Sequence, residues 1–254
     1  MTRIAGWKNR KTQQPEAATD SHVIPILGTN PASPFPPTAQ ALDNPQGLLA
    51  IGGDLSPARL VNAYRHGIFP WYSDDQPILW WSPAPRCVIY PDAVHISRRL
   101  RRHYNQGQYS LATDRAFTKV IEACAAPRRD QDETWITPEM QSAYIQLHEM
   151  GIAHSVEVYS DDELVGGIYG LALGSVFFGE SMFSSRENTS KIALVSLCLQ
   201  LHQWGFTLLD CQVSNSHLLS MGAQEVSRQD FERHLPGAGL ADHWGQDFHF
   251  TERW

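Results

Sequence analysis

The chain has 254 residues, 42% of them hydrophobic, with eight tryptophans and a formal net charge of −7. That is enough apolar chain to bury a large core as one domain or two smaller ones, and no apolar run approaches the roughly 20 residues of a membrane helix. The acidic total argues against nucleic acid as a partner, but binding follows local fields rather than totals.

Residues 1–20 are polar and aperiodic, and they predict a disordered extension. Arg3, Lys8, Arg10 and Lys11 are not followed by the apolar core of a signal peptide, so a cytoplasmic protein is expected. Pro31 to Pro37 is a proline-rich connector. The run Gly47 to Asp54 ends in glycines but lacks the lysine and spacing of a phosphate loop, and it predicts a tight turn. A helix follows, with Ser56 as N-cap, Pro57 first, Leu55 stapled to Leu60, an apolar face of Leu60, Val61 and Tyr64, and a stop at Gly67.

Trp71, Trp80 and Trp81 then fall among prolines between Phe69 and Pro85. Such rigid aromatic walls suit either a core joining two domains or a cleft that stacks a base. The run His95 to His103 carries Arg98, Arg99, Arg101 and Arg102 around Leu100 behind a possible Ser97 cap. It reads as a solvated helix face or as a patch that meets phosphates.

Two amphipathic helices come next. Thr113 or Asp114 would cap the first, with Phe117, Val120, Ile121 and Cys124 inward; Thr137-Pro138 opens the second, with Met140, Ala143, Tyr144 and Leu147 inward and Gly151 closing it. Trp135 lies in the loop before it, as a plug over the core or a cleft wall. From Ser155 to Phe183 the pattern turns to a strand meander. A long helix spans Ser190 to Trp204, with Leu194, Val195, Cys198, Leu199 and His202 on one face. The strand Phe206 to Val213, a helical turn at Ser216 to Met221 and a helix opening at Ser227 complete the order ααβββαβα. With consecutive strands antiparallel, this is an α+β protein.

Three polar groups sit inside these apolar strands. By alternation, Asp210 and Gln212 share a face with Phe206 and Leu208, and Glu180 shares one with Phe178 and Met182. A carboxylate there costs several kcal/mol unless it is paired or hydrogen-bonded, so it needs a reason; a structural hydrogen bond at a strand end would serve for one alone, but three such polar groups in one strand-helix-strand unit point to a site. The four cysteines show no C-x-x-C and read as reduced core thiols, and the eleven histidines show no metal-ligand spacing, so no metal is expected.

The motifs GLLAIGGDLSPARLVNAYRHGIFPWYSDDQPILWWSPAPR, TWIT, GGIYG, GESMFS and LLDCQVSNSHLLSMGA, in this order, resemble the leucyl/phenylalanyl-tRNA–protein transferases over about residues 40 to 235. The family pattern does not require the extension at 1–20; beyond it, the resemblance implies a small N-terminal domain at 21–90 and a catalytic domain at 91–254 similar to the GNAT acetyltransferases. It implies transfer of leucine or phenylalanine, and methionine less readily, from aminoacyl-tRNA to the N-terminal Arg or Lys of acceptor proteins, marking them for N-end rule degradation. No cofactor and no membrane are implied, and a monomer is expected. Carried over by motif, Asp210, Gln212 and Glu180 surround the reacting amine and ester, and Trp71 and Trp135 receive the 3′-terminal adenosine. Phe177, Met182, Leu194 and Leu209 wall the pocket for the incoming side chain, and Arg98, Arg99, Arg101 and Arg102 meet the tRNA acceptor stem. Asn105 stands where some relatives carry a further basic residue. Asp210 is expected to accept a hydrogen bond from the amine and stabilise its developing positive charge, either as an electrostatic partner alone or also as the base that takes the proton, directly or through Gln212. Two rivals stay open: a transferase using a small acyl-CoA, against which the glycine-poor turn Ser184 to Ser190 counts, and a non-catalytic RNA-binding module, which would leave the three polar residues unexplained.

Overall fold

The structure, a computed structural model, describes residues 23–127, 134–235, 250 and 253–254; the predicted extension at 1–20 lies outside them. The strands are β1 (Ile26–Leu27), β2 (Leu48–Gly52), β3 (Phe69–Pro70), β4 (Leu79–Trp81), β5 (Arg86–Ile89), β6 (Ser110–Thr113), β7 (Ala153–Ser160), β8 (Glu163–Leu173), β9 (Val176–Ser184), β10 (Leu208–Gln212) and β11 (Gln224–Val226). The helices are α1 (Pro57–Arg65), α2 (Arg98–Tyr104), α3 (Phe117–Ala125), α4 (Pro138–Glu149), α5 (Thr189–Gln203), α6 (Ser216–Ser220) and α7 (Arg228–Glu232). None is long and apolar enough to cross a membrane.

The strands form a four-stranded sheet, β1-β2-β4-β3, and a seven-stranded one, β11-β5-β10-β9-β8-β7-β6. The sequence division at residue 90 assigns Arg86–Ile89 to the small domain, whereas β5 is hydrogen-bonded between β11 and β10 in the large sheet. The meander is antiparallel as expected, but β9 and β10, joined through α5, pair in parallel. A helix carries the chain back to the starting end of the sheet, so the next strand runs the same way.

Both faces of the large sheet are buried, and period-two alternation sorts its residues between them. Val88, Tyr169, Leu171, Phe178 and Leu208 join one core with α1, α3, α4 and the small sheet. Cys87, Ile89, Ile168, Phe177 and Leu209 join the other, beneath α5 and α2. Helix α5, where a single apolar face with His202 on it was expected, is covered by the sheet on one side and by α2 and the turn at Pro91–Ala93 on another. Its buried residues run almost continuously from Ile192 to Cys198 and include Ser196, while His202 is exposed.

Local signals set most helix starts. Ser56, Ser97, Thr137 and Ser227 each accept a hydrogen bond from a backbone N–H in the first turn of the helix they precede. The cap of α3 departs from expectation. Glu157 on β7 accepts from the amides of Arg115 and Ala116 (3.3 and 3.0 Å), while Asp114 turns to Ser155 N and His154 Nδ1 (2.8 Å each). A tertiary carboxylate has displaced the local one.

Candidate active site

The two strands that carry the polar residues are both irregular, at the place where they part. Their parallel pairing ends at Asp210 opposite Phe178. Beyond it β9 continues only against β8, and β10 only against β5. Glu180 is the extra residue of a bulge in β9, where Gly170 pairs Gly179 and Tyr169 pairs Ser181; Cys211 is the extra residue of a bulge in β10. Bulges re-aim side chains and end pairing, as both do here. Gly170 makes the first possible, because a Cβ there would lie 2.0 Å from Phe178 O. Past this point burial drops, and Glu180, Met182 and Gln212 are all half-buried.

The bulge at Glu180 also reverses the alternation expected from sequence. Phe178 and Glu180 face the core of α1 and α4, but Met182 faces the opposite core, opposite Ile168 and with Phe177, Leu194 and Leu209. The four residues predicted as pocket walls therefore fall in one cluster, with Phe177, Leu194 and Leu209 fully buried and Met182 half-buried.

Asp210 is fully buried and completely engaged. Its Oδ1 accepts from Arg86 Nε (2.8 Å) and from the backbone amide of Gln212 (3.0 Å). Its Oδ2 accepts from Arg86 Nη2 (2.7 Å) and Gln212 Nε2 (3.4 Å). Arg86, 0% exposed, also donates to Gly67 O (3.0 Å) and lies between the rings of Phe69 and Phe231, at 4.9 and 4.5 Å from their centroids. Gln212 adopts φ 57°, rare for a residue with a side chain, and the bond from its amide to Asp210 holds it there.

Glu180 meets two phenols from two helices. Tyr64 of α1 donates to Oε1 (2.7 Å) and Tyr144 of α4 to Oε2 (3.0 Å), and the two hydroxyls also touch each other. Burial first, then the Glu180 charge, holds both phenols well above their ordinary range, so they remain donors. Glu180 as a residue is only half-buried. Even so, removal of its carboxyl from water, the largest cause, pushes it from 4.5 to about 7; the Asp210 charge adds to the rise, while the two phenols and Arg86 oppose it. A raised folded-state value means that the folded protein keeps a proton the unfolded chain has lost. Stability therefore falls as pH climbs from about 4.5 to about 7, by up to about 3 kcal/mol. Glu180→Gln is expected to remove this slope, read as unfolding free energy against pH for both proteins.

A hydrogen bond with the Cys87 thiol, and then burial, push the Cys211 thiol well above the ordinary range. Burial pushes Cys198 up to about 12. Among the described residues, Asp114, His148 and His154 could gather on a cation, with ligand atoms within 4.8 Å of one another. Three of their four ring nitrogens are already hydrogen-bonded: His154 Nδ1 to Asp114 Oδ2 (2.8 Å), His154 Nε2 to Gly151 O (3.0 Å), and His148 Nδ1 to Ala153 O (2.8 Å). The group acts as a clamp joining α4, β7 and the approach to α3.

Of the two tryptophans expected at the adenosine site, Trp71 is 39% exposed and tilts against Trp81 (5.8 Å, 60°), whose Nε1 donates to Trp71 O (2.7 Å). Trp135 is half-buried against the core that also holds Tyr64 and Tyr144. Arg98, Arg99, Arg101 and Arg102 are all exposed on α2, and Arg99 pairs with Glu187 (2.7 Å) at the surface. Sequence reasoning missed Arg86, Tyr64 and Tyr144. Arg86 carried the same signal that picked out Asp210, a charge entering an apolar strand, and one such charge calls for its complement. The tyrosines read as plain core residues, since helical periodicity says nothing of where a hydroxyl ends.

Residues 88–236 match the family model described as leucyl/phenylalanyl-tRNA protein transferase, and residues 53–84 match that of its N-terminal domain. A transferase of this description from Alkalilimnicola ehrlichii is 59% identical over 215 residues, 84% of this chain and 83% of its own. One from Nitrosospira multiformis is 56% identical over 213 residues, 84% of this chain and 91% of its own. Among solved structures, a GCN5-related N-acetyltransferase from Kribbella flavida aligns over 67% of this chain and 61% of its own, at 11% identity and a TM-score of 0.35, too loose a match to argue from. These matches make the protein an aminoacyltransferase with a two-part α+β fold. More particularly, the chain belongs to the leucyl/phenylalanyl-tRNA–protein transferase family.

Proposed function

We propose that the protein transfers leucine or phenylalanine, and methionine less readily, from aminoacyl-tRNA to the N-terminal Arg or Lys of acceptor proteins in the cytoplasm. Such an acceptor would be marked for degradation through the N-end rule. The reaction is aminolysis of an ester that is already activated. The attacking α-amine, with an ordinary pKa of about 7.7–8.0, is partly neutral at cellular pH. Alignment is the main task, and it can supply roughly 7–11 kcal/mol of barrier lowering.

The observation that carries the mechanism is the full engagement of Asp210 by four N–H groups beside a half-buried Gln212. Those bonds leave the carboxylate poorly placed to take a proton itself. Gln212 Oε1 then accepts the hydrogen bond from the attacking amine, and Asp210, through Gln212 Nε2, fixes and polarises the amide. As the tetrahedral adduct collapses, the amine proton goes to the departing ribose oxygen. Glu180 keeps free lone pairs for the acceptor's cationic side chain, which would draw it back to its charged form. Phe177, Met182, Leu194 and Leu209 take up the transferred side chain, with discrimination of about 1–3 kcal/mol per methylene. Trp71 and Trp135 receive the terminal adenosine.

Transfer of label from radiolabelled Leu-tRNA to a peptide beginning with Arg, but not to one beginning with Ala, tests this reading. Transfer from an acyl-CoA instead, or RNA binding without transfer, would overturn it. The arginines of α2 would hold the acceptor stem through its phosphates. Arg98→Ala with Arg102→Ala should weaken binding of Leu-, Phe- and Met-tRNA alike and flatten the salt dependence by roughly 1.5 in log–log slope, measured by filter binding.

A further inference from the structure

Helix α2 has little of its own to hold it. Its seven residues are too few for a stable isolated helix, and Arg98 repels Arg101 and Arg102 at the i, i+3 and i, i+4 spacings. Ser97 Oγ caps its start, accepting from Leu100 N at 3.2 Å, and the buried Leu100 and Tyr104 anchor one side.

The end of the helix is held by a residue far away in the chain. Asn105 closes α2, and its side chain meets the backbone of Trp254 twice: Nδ2 donates to Trp254 O (3.2 Å), and Oδ1 accepts from Trp254 N (3.1 Å). The indole of Trp254 stacks on Tyr104 with centroids 4.2 Å apart and planes 22° apart. Trp254 and Phe250 pack against the same core that takes Leu100 and Tyr104. Both family models end well before this residue, so the family match does not account for it.

We propose that Trp254 is a positioning residue for the RNA-binding surface: with Asn105 it fixes the last turn of α2, and so the aim of Arg101 and Arg102. This rests on the reading of those arginines as phosphate contacts. Without the stack the last turn frays in the free protein and has to be ordered whenever RNA binds. That cost is the same at every salt concentration, whereas losing an arginine changes the number of counterions released.

The experiment compares full-length Trp254→Ala, Trp254→Phe, Asn105→Ala and Arg101→Ala/Arg102→Ala in Leu-tRNA binding across a salt series, together with kcat at saturating tRNA. Trp254→Ala should weaken binding by about 3- to 10-fold with the salt slope and kcat kept. Trp254→Phe should restore most of the loss, and Asn105→Ala should give a smaller shift in the same direction. If Trp254→Ala and Asn105→Ala bind normally while the double arginine variant weakens binding and flattens the slope, the proposal is overturned and the arginine reading stands. If the arginine variant also leaves binding and slope unchanged, α2 is not the RNA surface and both fall. A loss of binding in Trp254→Ala that comes with a flattened slope also counts against positioning.

Discussion

Arg86→Met is expected to lower the unfolding free energy by about 3–5 kcal/mol, because it strands the fully buried Asp210 carboxylate without its charge partner. Urea unfolding should show the loss as a lower midpoint at unchanged slope. Adding Asp210→Leu should recover most of it, since an apolar pair of similar volume carries no desolvation cost, yet the double variant should stay inactive. Recovered stability without recovered turnover would separate what the pair does for the fold from what it does for the site. A cost below about 1 kcal/mol for Arg86→Met alone would mean that water reaches Asp210 and that the pair is less enclosed than its geometry indicates.

The second large effect concerns rate. Gln212→Ala should cut kcat by about 10²–10⁴-fold with little change in stability, since it spares both bonds between Arg86 and Asp210 and its own backbone bond to Oδ1. Asp210→Asn should also depress kcat far more than it weakens tRNA binding, but with a loss of stability that Gln212→Ala lacks, because a neutral amide cannot pair with a buried guanidinium. Single-turnover rates with Leu-tRNA and an Arg-initiated peptide, set beside tRNA affinity, distinguish the two. Should Gln212→Ala turn over within threefold of the parent while Asp210→Asn is dead, the amine meets the carboxylate after all and the assignment reverses.

These roles were only partly legible in the chain. The oddity of Asp210, Gln212 and Glu180 within apolar strands was plain, because burying a polar group demands compensation wherever the strand goes. What compensates them was hidden. Asp210 finds its partner 124 residues away in Arg86, and Glu180 finds its partners in Tyr64 and Tyr144, 116 and 36 residues away. Unbroken alternation would place Met182 with Glu180; one bulged residue sends it to the other face.

By itself, then, the sequence determined what depends on neighbours in the chain: capped helix starts at Ser56, Ser97, Thr137 and Ser227, the inward faces of α3 and α4, the meander, and the motifs that mark the family. Those follow from periodicity and from hydrogen bonds between residues three or four apart, which a linear reading can see. Tertiary structure alone decided the parallel junction of β9 and β10, the enclosure of Asp210 by Arg86, the phenols around Glu180 and the fastening of α2 by Trp254. Each joins groups that are distant in the chain, which meet only because the two cores pack on opposite faces of the large sheet.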